Sequence, residues 1–353
     1  MQSQRKYKRI VVKIGSSLLS HKAKLDTAML SGVSSQVSSL MKKGREIVLV
    51  SSGAIALGMS VLKLTQRPKE LSFLQASAAV GQNELMDAYR YFFKKRGINC
   101  AQLLLTWEDF SDRKRYLNAK STLNTLLKLK IVPIINENDT VSTDEIKFGD
   151  NDRLSALVSI LVGADLLIIL SDVEGLWGED KKIIRVVDKI TGSLKSLACS
   201  SKKEICVGGM VTKLEAANIA TSSGIPCVIA SGQKKDIIKS VVDDAGSNGT
   251  LFLTKGKVLD AKERWMAFGT KSKGRIRVDD GAKNALLNKK SLLSVGIVSC
   301  SGNFSPGDVV SICNNDDVEF ARGKAGLGIK ELEKIQGIRF AKEIIHRDNI
   351  VML

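Results

Sequence analysis

Histidine is almost missing from this chain: 353 residues hold two, His21 and His346. Two isolated imidazoles exclude a histidine-based metal centre and a Ser–His–Asp triad. The six cysteines (Cys100, Cys199, Cys206, Cys227, Cys300 and Cys313) form no C-x-x-C pair. That pattern argues against structural zinc and against a disulfide framework. No apolar run approaches the roughly 18 residues of a membrane-spanning helix. The basic start, MQSQRKYKR, leads into a strand-like segment and not into the apolar region of a signal peptide. The expected location is therefore the cytoplasm, with no membrane partner. Aromatic residues make up only 5% of the chain, and no aromatic-rich basic stripe marks a surface for RNA. Chemistry in such a chain rests on lysine, aspartate, asparagine and backbone amides.

What is plentiful is positive charge, with a formal net of +17. It is spread in proportion to length: residues 256–353 hold 17 Lys and Arg against 12 Asp and Glu, and the remainder carries its own share. A diffuse charge helps to attract anionic substrates without marking a dedicated nucleic-acid face. Hydrophobic residues at 44% and charged residues at 26% are ordinary for a globular protein, and the length favours two domains.

Strand-like and helix-like segments alternate along the first 255 residues. Strands are expected at Arg9–Ile14, Glu46–Val50, Cys100–Leu105, Ile131–Ile135, Asp165–Leu170 and Pro226–Ala230. Amphipathic runs separate them, the first with Asp26 as its N-cap and Lys42-Lys43-Gly44 at its end. This alternation predicts an α/β fold, a mostly parallel sheet sandwiched between helices. The pattern breaks near Ala245–Thr250. From about Gly274 short β-rich runs with turn signals, Ser301-Gly302-Asn303 and Ser305-Pro306-Gly307-Asp308, predict a small separate β-rich barrel. The expected division is a first domain over 1–255, a linker over 256–273 and a second domain over 274–353.

Polar residues concentrate where the strands end. Ile131–Ile135 turns abruptly into Asn136, Glu137, Asn138 and Asp139, and Gly149-Asp150-Asn151-Asp152 stands directly before an apolar helical run. Three small-residue turns accompany these clusters. Lys13-Ile14-Gly15-Ser16-Ser17 places a cation beside backbone donors, as a phosphate site requires. Ser51-Ser52-Gly53-Ala54 offers donors and the Ser52 hydroxyl to an anionic group. Val207-Gly208-Gly209-Met210-Val211-Thr212-Lys213 lets a backbone lie against a nucleotide and sets Lys213 where a helix begins, although its spacing is not that of a Walker A loop. Two lysines at such turns and a carboxylate cluster point to phosphoryl transfer. A carboxylate acceptor, already ionised at neutral pH, needs no general base. An alcohol acceptor would want one, which Asp150 or Asp152 could supply. The pattern leaves both open.

The segments VVKIGSSLL, VSSGAIALG, IVPIINENDTV, EIKFGDND, LSDVEGLW and VGGMVTKLEAA occur in this order, and together they closely resemble the glutamate 5-kinase family, a branch of the amino acid kinases. The likeness runs from about residue 8 to residue 255. The tail, with GNFSPGDVV, is similar to a PUA domain. The resemblance implies the amino acid kinase fold and ATP-dependent phosphorylation of the γ-carboxylate of L-glutamate. That is the first step of proline synthesis, usually inhibited by proline. It further implies that Lys13 and Lys213 stabilise the transferring phosphoryl group, and that Ser52, Gly53, Asp139 and Asn151 hold glutamate with Asn136 nearby. Asp150 and Asp152 would orient the lysines, Mg²⁺ or the amino group of glutamate. ATP would be bound by Lys13, Gly15, Ser171, Asp172 and the run Val207, Gly208, Gly209, Met210, Val211, Thr212 and Lys213. The family often has Thr where Ser171 and Val207 stand; Ser171 keeps the hydroxyl and Val207 loses it, leaving backbone contacts. A homo-oligomer, dimer or tetramer, is implied too. Acetylglutamate kinase, aspartokinase and uridylate kinase share the implied fold, and the INEND and GDND segments favour glutamate 5-kinase over them. The alternative from another class is an RNA-binding protein acting through the PUA-like tail.

Overall fold

The computed structural model describes residues 7–21, 24–142, 151–192, 194, 209–254, 259–338, 340 and 342–353. The chain divides into two compact units, 1–258 and 259–353.

The first unit is built on one eight-stranded sheet. In chain order its strands are β1 (Arg9–Ile14), β4 (Glu46–Ser51), β5 (Cys100–Leu105), β6 (Val132–Glu137), β7 (Leu166–Ser171), β8 (Val186–Val187), β9 (Cys227–Ser231) and β10 (Thr250–Phe252). Ser20–His21 (β2) and Lys24–Leu25 (β3) make a small hairpin of their own. The sheet order is β5-β6-β4-β1-β7-β9-β10-β8. All neighbours from β5 to β9 run parallel, and β10 returns antiparallel to β9. Every residue of β6, β7 and β9 is buried. These strands therefore read as continuous apolar runs, as a sheet covered on both faces demands.

The topology fixes where a ligand can sit. From β1 the chain builds outwards through β4, then β5 and β6, and then crosses back to place β7 on the other side of β1. The strand order reverses at β1, so a crevice opens at the carboxyl ends of β1, β4 and β7. Lys13 lies there, in register with Val50 of β4 and Ile169 of β7. The strands β4, β6 and β7 each run one or two residues further than their apolar stretches predict, to Ser51, Glu137 and Ser171. The polar residues at those ends thus begin inside the sheet.

The helices follow their caps. Asp26 accepts from Met29 N at 2.8 Å and starts the helix Thr27–Lys42, which ends before Gly44 at φ +81°. Asp112 caps Arg113–Lys128 through Arg115 N at 2.8 Å. Between β4 and β5 the chain forms two helices, Ala54–Val61 and Leu71–Lys94, that pack backbone to backbone. A Cβ on Gly81 would lie 1.9 Å from Ala54 O, and one on Gly58 would lie 1.7 Å from Ser77 O. This contact presses the long helix against the turn that follows β4.

The second unit has its own five-stranded sheet, built from β11 (Gly274–Val278), β12 (Ile297–Gly302), β13 (Val309–Cys313), β14 (Glu319–Lys324) and β15 (Ile350–Met352) in the order β12-β11-β13-β14-β15. Its core gathers Ile276, Val278, Phe304, Val310, Ile312, Leu332 and Ile345. The turn at Gly307, φ +94°, is held by Asp308, which accepts from Ser305 N at 2.9 Å and pairs with Lys273 at 2.9 Å. The Ser305 amide first, and then Lys273, hold the Asp308 carboxyl below its ordinary range. Residues 259–273 are not a bare linker. They hold the helix Ala261–Arg264 and a π-helical turn, Trp265–Gly269, in which Met266 and Phe268 are buried. That turn packs against β14 and β15, because WMAF is too apolar to remain in water.

Gly81→Ala is expected to destabilise the protein by about 1–3 kcal/mol, since the methyl meets backbone and not a movable side chain. The exposed helical Gly32, with nothing within 4 Å of its added Cβ, is the control: Gly32→Ala should stabilise by about 0.5–1 kcal/mol. Urea melts of both variants check this, and a Gly81→Ala midpoint at or above wild type would contradict the close packing.

Candidate active site

At the switch point three charged side chains meet out of water. Lys13 is 3% exposed, Lys213 7% and Asp152 0%. Asp152 Oδ1 lies 2.7 Å from Lys13 Nζ, and its Oδ2 lies 3.1 Å from Lys213 Nζ. One carboxylate therefore bridges two ammonium groups, each on its own oxygen.

Each partner arrives by a different route. Lys13 comes from the last turn of the pleat in β1. Asp152 is the first residue of the helix Asp152–Val162, and Lys213 lies in the first turn of Met210–Ser222. Those two helices pack together, so their amino ends converge on the site. The partial positive charge at a helix start stabilises the Asp152 carboxylate there. Thr212 adds a hydroxyl 3.0 Å from Asp152 Oδ2 and 3.0 Å from Gly209 O. Within the triad, two ammonium groups face one carboxylate. Ammonium groups fixed side by side offer preorganised positive charge to an anionic ligand.

Most of the other predicted residues sit at strand ends or helix starts. Ser52 follows β4 and is 5% exposed, and its hydroxyl is buried with no hydrogen-bond partner among the described residues. An orphaned buried hydroxyl is costly, and a ligand oxygen would satisfy it. Gly53, at φ +100°, caps the helix Ala54–Val61; a side chain there would be strained in this left-handed conformation. Asp139 is half-buried in the turn just beyond β6. Ser171 closes β7, and its hydroxyl donates to Asp172 Oδ1 at 2.8 Å. Gly209, Met210, Val211 and Thr212 open the Lys213 helix. Asp150, Val207 and Gly208 lie outside the described residues.

Three residues are engaged with the protein itself. The Gly15 amide donates to Leu170 O at 3.1 Å, tying the β1 turn to β7, so it is already engaged. An added Cβ at Gly15 would lie 3.3 Å from Leu170 O and 3.9 Å from Lys13 Nζ. Asn136 and Asn151 point into each other. Asn151 Nδ2 donates to Asn136 Oδ1 and to Ser51 O, both at 2.6 Å, which leaves the Asn151 carbonyl oxygen as its acceptor.

Sequence reasoning missed the residues behind this pair. Gln82, from the long helix, accepts from Asn136 Nδ2 at 2.8 Å, and Tyr89 OH lies 3.0 Å from Ser51 Oγ. Burial pushes the Tyr89 phenol well above its ordinary range, against the pull of that hydrogen bond, so it stays neutral. The available signal was a polar residue on an apolar helix face: Gln82 sits between Ala78 and Leu85 in a stripe that continues to Tyr89 and Phe93. A cleft of about 500 Å³ belongs to the second unit, where Lys262, Lys324, Lys342, Glu343 and His346 are among its lining residues; it holds none of the candidate site residues.

The amino acid kinase family profile matches residues 8–231, and the PUA domain profile matches residues 274–347. A glutamate 5-kinase of Pelobacter propionicus is 43% identical, covering 99% of this chain and 98% of its own. One from Caldanaerobacter subterraneus subsp. tengcongensis is 44% identical, covering 98% of each. Glutamate 5-kinase 1 of Mesorhizobium japonicum is 42% identical, covering 100% of this chain and 97% of its own.

Asp152→Asn keeps the shape and removes the charge that holds both lysines. It is expected to lower kcat by about 10²–10³-fold, the usual cost of dismantling a preorganised electrostatic site. Steady-state turnover of the folded variant checks this, and a near-normal kcat would make the bridge purely structural.

Proposed function

Because the chain belongs to the amino acid kinase family and, within it, to the glutamate 5-kinases, we propose that it transfers the γ-phosphoryl group of ATP to the side-chain carboxylate of L-glutamate. The observation that carries the mechanism is the buried Lys13–Asp152–Lys213 bridge. A carboxylate oxygen of glutamate attacks the γ-phosphorus. The new O–P bond forms as the bond to the β-phosphate oxygen breaks, and ADP leaves with the electron pair. No proton has to be removed from an acceptor that is already ionised. The obstacle is the approach of two anions, and two fixed ammonium groups lower it by electrostatic stabilisation.

In this reading Lys13 and Lys213 contact the transferring group, and Asp152 holds them in place. Ser52 and the Gly53 amide receive a carboxylate of glutamate. Asp139 and the Asn151 carbonyl face its ammonium group, and Asn136 supports Asn151. Asp150 belongs to the same set by its place in the sequence. ATP lies across Gly15, Ser171, Asp172 and the run Val207–Lys213. Magnesium would be held mainly by the phosphates of the nucleotide and by water, and would supply charge neutralisation there. Both oxygens of Asp152 already face lysines, and the described residues contain no cluster of three or more His, Cys, Asp or Glu able to hold a metal.

Catalysis is assigned to residues 1–255. Residues 274–353, joined through 256–273, form an appended regulatory or structural module. The family resemblance supports feedback inhibition by proline, a homo-oligomer and a cytoplasmic location. No helix among the described residues is long and apolar enough to cross a membrane.

The test is ADP release from Mg·ATP with L-glutamate, N-acetyl-L-glutamate, L-aspartate or UMP, each with and without L-proline. Turnover that requires glutamate and falls with proline is expected. Turnover with another acceptor alone would keep the lysine bridge and overturn the roles given to Ser52, Asp139 and Asn151.

A further inference from the structure

A line of side-chain amides runs from the surface of the sheet to the residue that precedes Asp152. Gln102, exposed on the edge strand β5, accepts from Gln82 Nε2 at 2.9 Å. Gln82 Oε1 accepts from Asn136 Nδ2 at 2.8 Å. Asn136 Oδ1 accepts from Asn151 Nδ2 at 2.6 Å and from Glu137 N at 2.9 Å. Asn151 Nδ2 also donates to Ser51 O at 2.6 Å. Gln82, Asn136 and Asn151 are all buried, so every amide left unpaired would carry the cost of a lost hydrogen bond.

The line has one direction. Each carbonyl oxygen faces the NH₂ group of the next amide, so turning one interior amide around would set donor against donor at one neighbour and acceptor against acceptor at the other. Asn151 is the last amide, and it clamps the carboxyl end of β4 to the start of the Asp152 helix. The clamp fixes the distance between the Ser51-Ser52-Gly53 turn and the two lysines that Asp152 holds. A second contact comes from the same helix. Gly81, next to Gln82, lies backbone to backbone against Ala54, the first residue of the helix that Gly53 caps. Adjacent residues of Leu71–Lys94 therefore support the substrate turn from two sides.

We propose that Gln82 is a positioning residue for the acceptor side of the reaction. It holds Asn136, Asn136 holds Asn151, and Asn151 sets the Ser52–Gly53 turn at its working distance from Asp152. Gln82 touches neither substrate. Its loss acts on the acceptor pocket and leaves the nucleotide side, built on β7 and the Lys213 helix, in place. This assignment rests on the proposed use of a carboxylate acceptor at Ser52 and Gly53.

Two variants separate positioning from folding. Gln82→Met keeps the length and removes both polar atoms, which strands Asn136 Nδ2. Gln82→Glu keeps the acceptor for Asn136, and the exposed Gln102 can turn its NH₂ group towards the carboxylate. Gln82→Met is expected to raise KM for glutamate about tenfold while KM for ATP stays within about twofold, in keeping with the cost of an orphaned buried amide. Gln82→Glu should recover most of the glutamate KM. Hydrogen–deuterium exchange of the ligand-free protein gives a readout that needs no substrate: the Ser52 and Gly53 amides should exchange faster in Gln82→Met and at the wild-type rate in Gln82→Glu. Unchanged exchange there in Gln82→Met, or equal shifts in both KM values, would overturn the proposal. Faster exchange in Gln82→Met together with no glutamate turnover by the wild-type protein would overturn the reading of the substrate and leave the positioning role standing.

Discussion

A lone carboxylate buried between two ammonium groups is a demanding thing to build. Asp152 is wholly shielded from water, and its attraction to Lys13 and Lys213 has to offset the desolvation of three charges. The surroundings share that burden. Asp152 stands at a helix start, where backbone amides favour a negative charge, and Thr212 brings a hydroxyl to the same oxygen that meets Lys213. Two ammonium groups held side by side by one carboxylate are the feature on which the proposed function rests, because they would offer fixed positive charge to a transferring phosphoryl group. Removing Lys13 or Lys213 would leave only one of the two.

The scaffold can be understood as what keeps those three groups together. A parallel sheet whose order reverses at β1 brings the ends of β1, β4 and β7 side by side, and the register puts Lys13 between them. The helices that carry Asp152 and Lys213 pack on each other, so neither can shift without the other. On the acceptor side the glycine contact between Gly81 and Ala54 and the chain of amides through Gln82 hold the Ser52 turn. Rigid packing and directional hydrogen bonds thus act on opposite sides of one crevice. The Ser52 hydroxyl, buried without a hydrogen-bond partner among the described residues, stands where the acceptor carboxylate is proposed to bind.

Much of this was legible in the residues themselves. The strands, the parallel α/β class and the polar clusters follow from runs of Val, Ile and Leu that stop at Lys13, Ser51, Asn136 and Ser171. Asp26 is a cap whose chemistry can be read directly, and its hydrogen bond to Met29 bears that out. Other features depend on contacts between segments far apart in sequence. Nothing local says that Asp152 would bridge Lys13 and Lys213, which lie 139 and 61 positions away in the chain. Nor does Gly15 announce that its amide is taken by Leu170. The packing of the two helices after β4 rests on the close approach at Gly58 and Gly81, which nothing local announces, and Gln82 hid within an apolar stripe. Trp265 to Phe268 looked like linker because a four-residue apolar run has no period to betray what it packs against.

The central claim is that Lys13 and Lys213 act as one unit through Asp152. The most direct test is kcat for ADP release in Lys13→Ala, Lys213→Ala and the double variant, at saturating Mg·ATP and glutamate. Each single change is expected to lower kcat by about 10²–10³-fold, and the double change by no more than about tenfold beyond the worse single one, as for residues that work as a unit. Losses that simply multiply would mean that the two lysines contribute independently, and the shared carboxylate would then not be the feature on which the site depends.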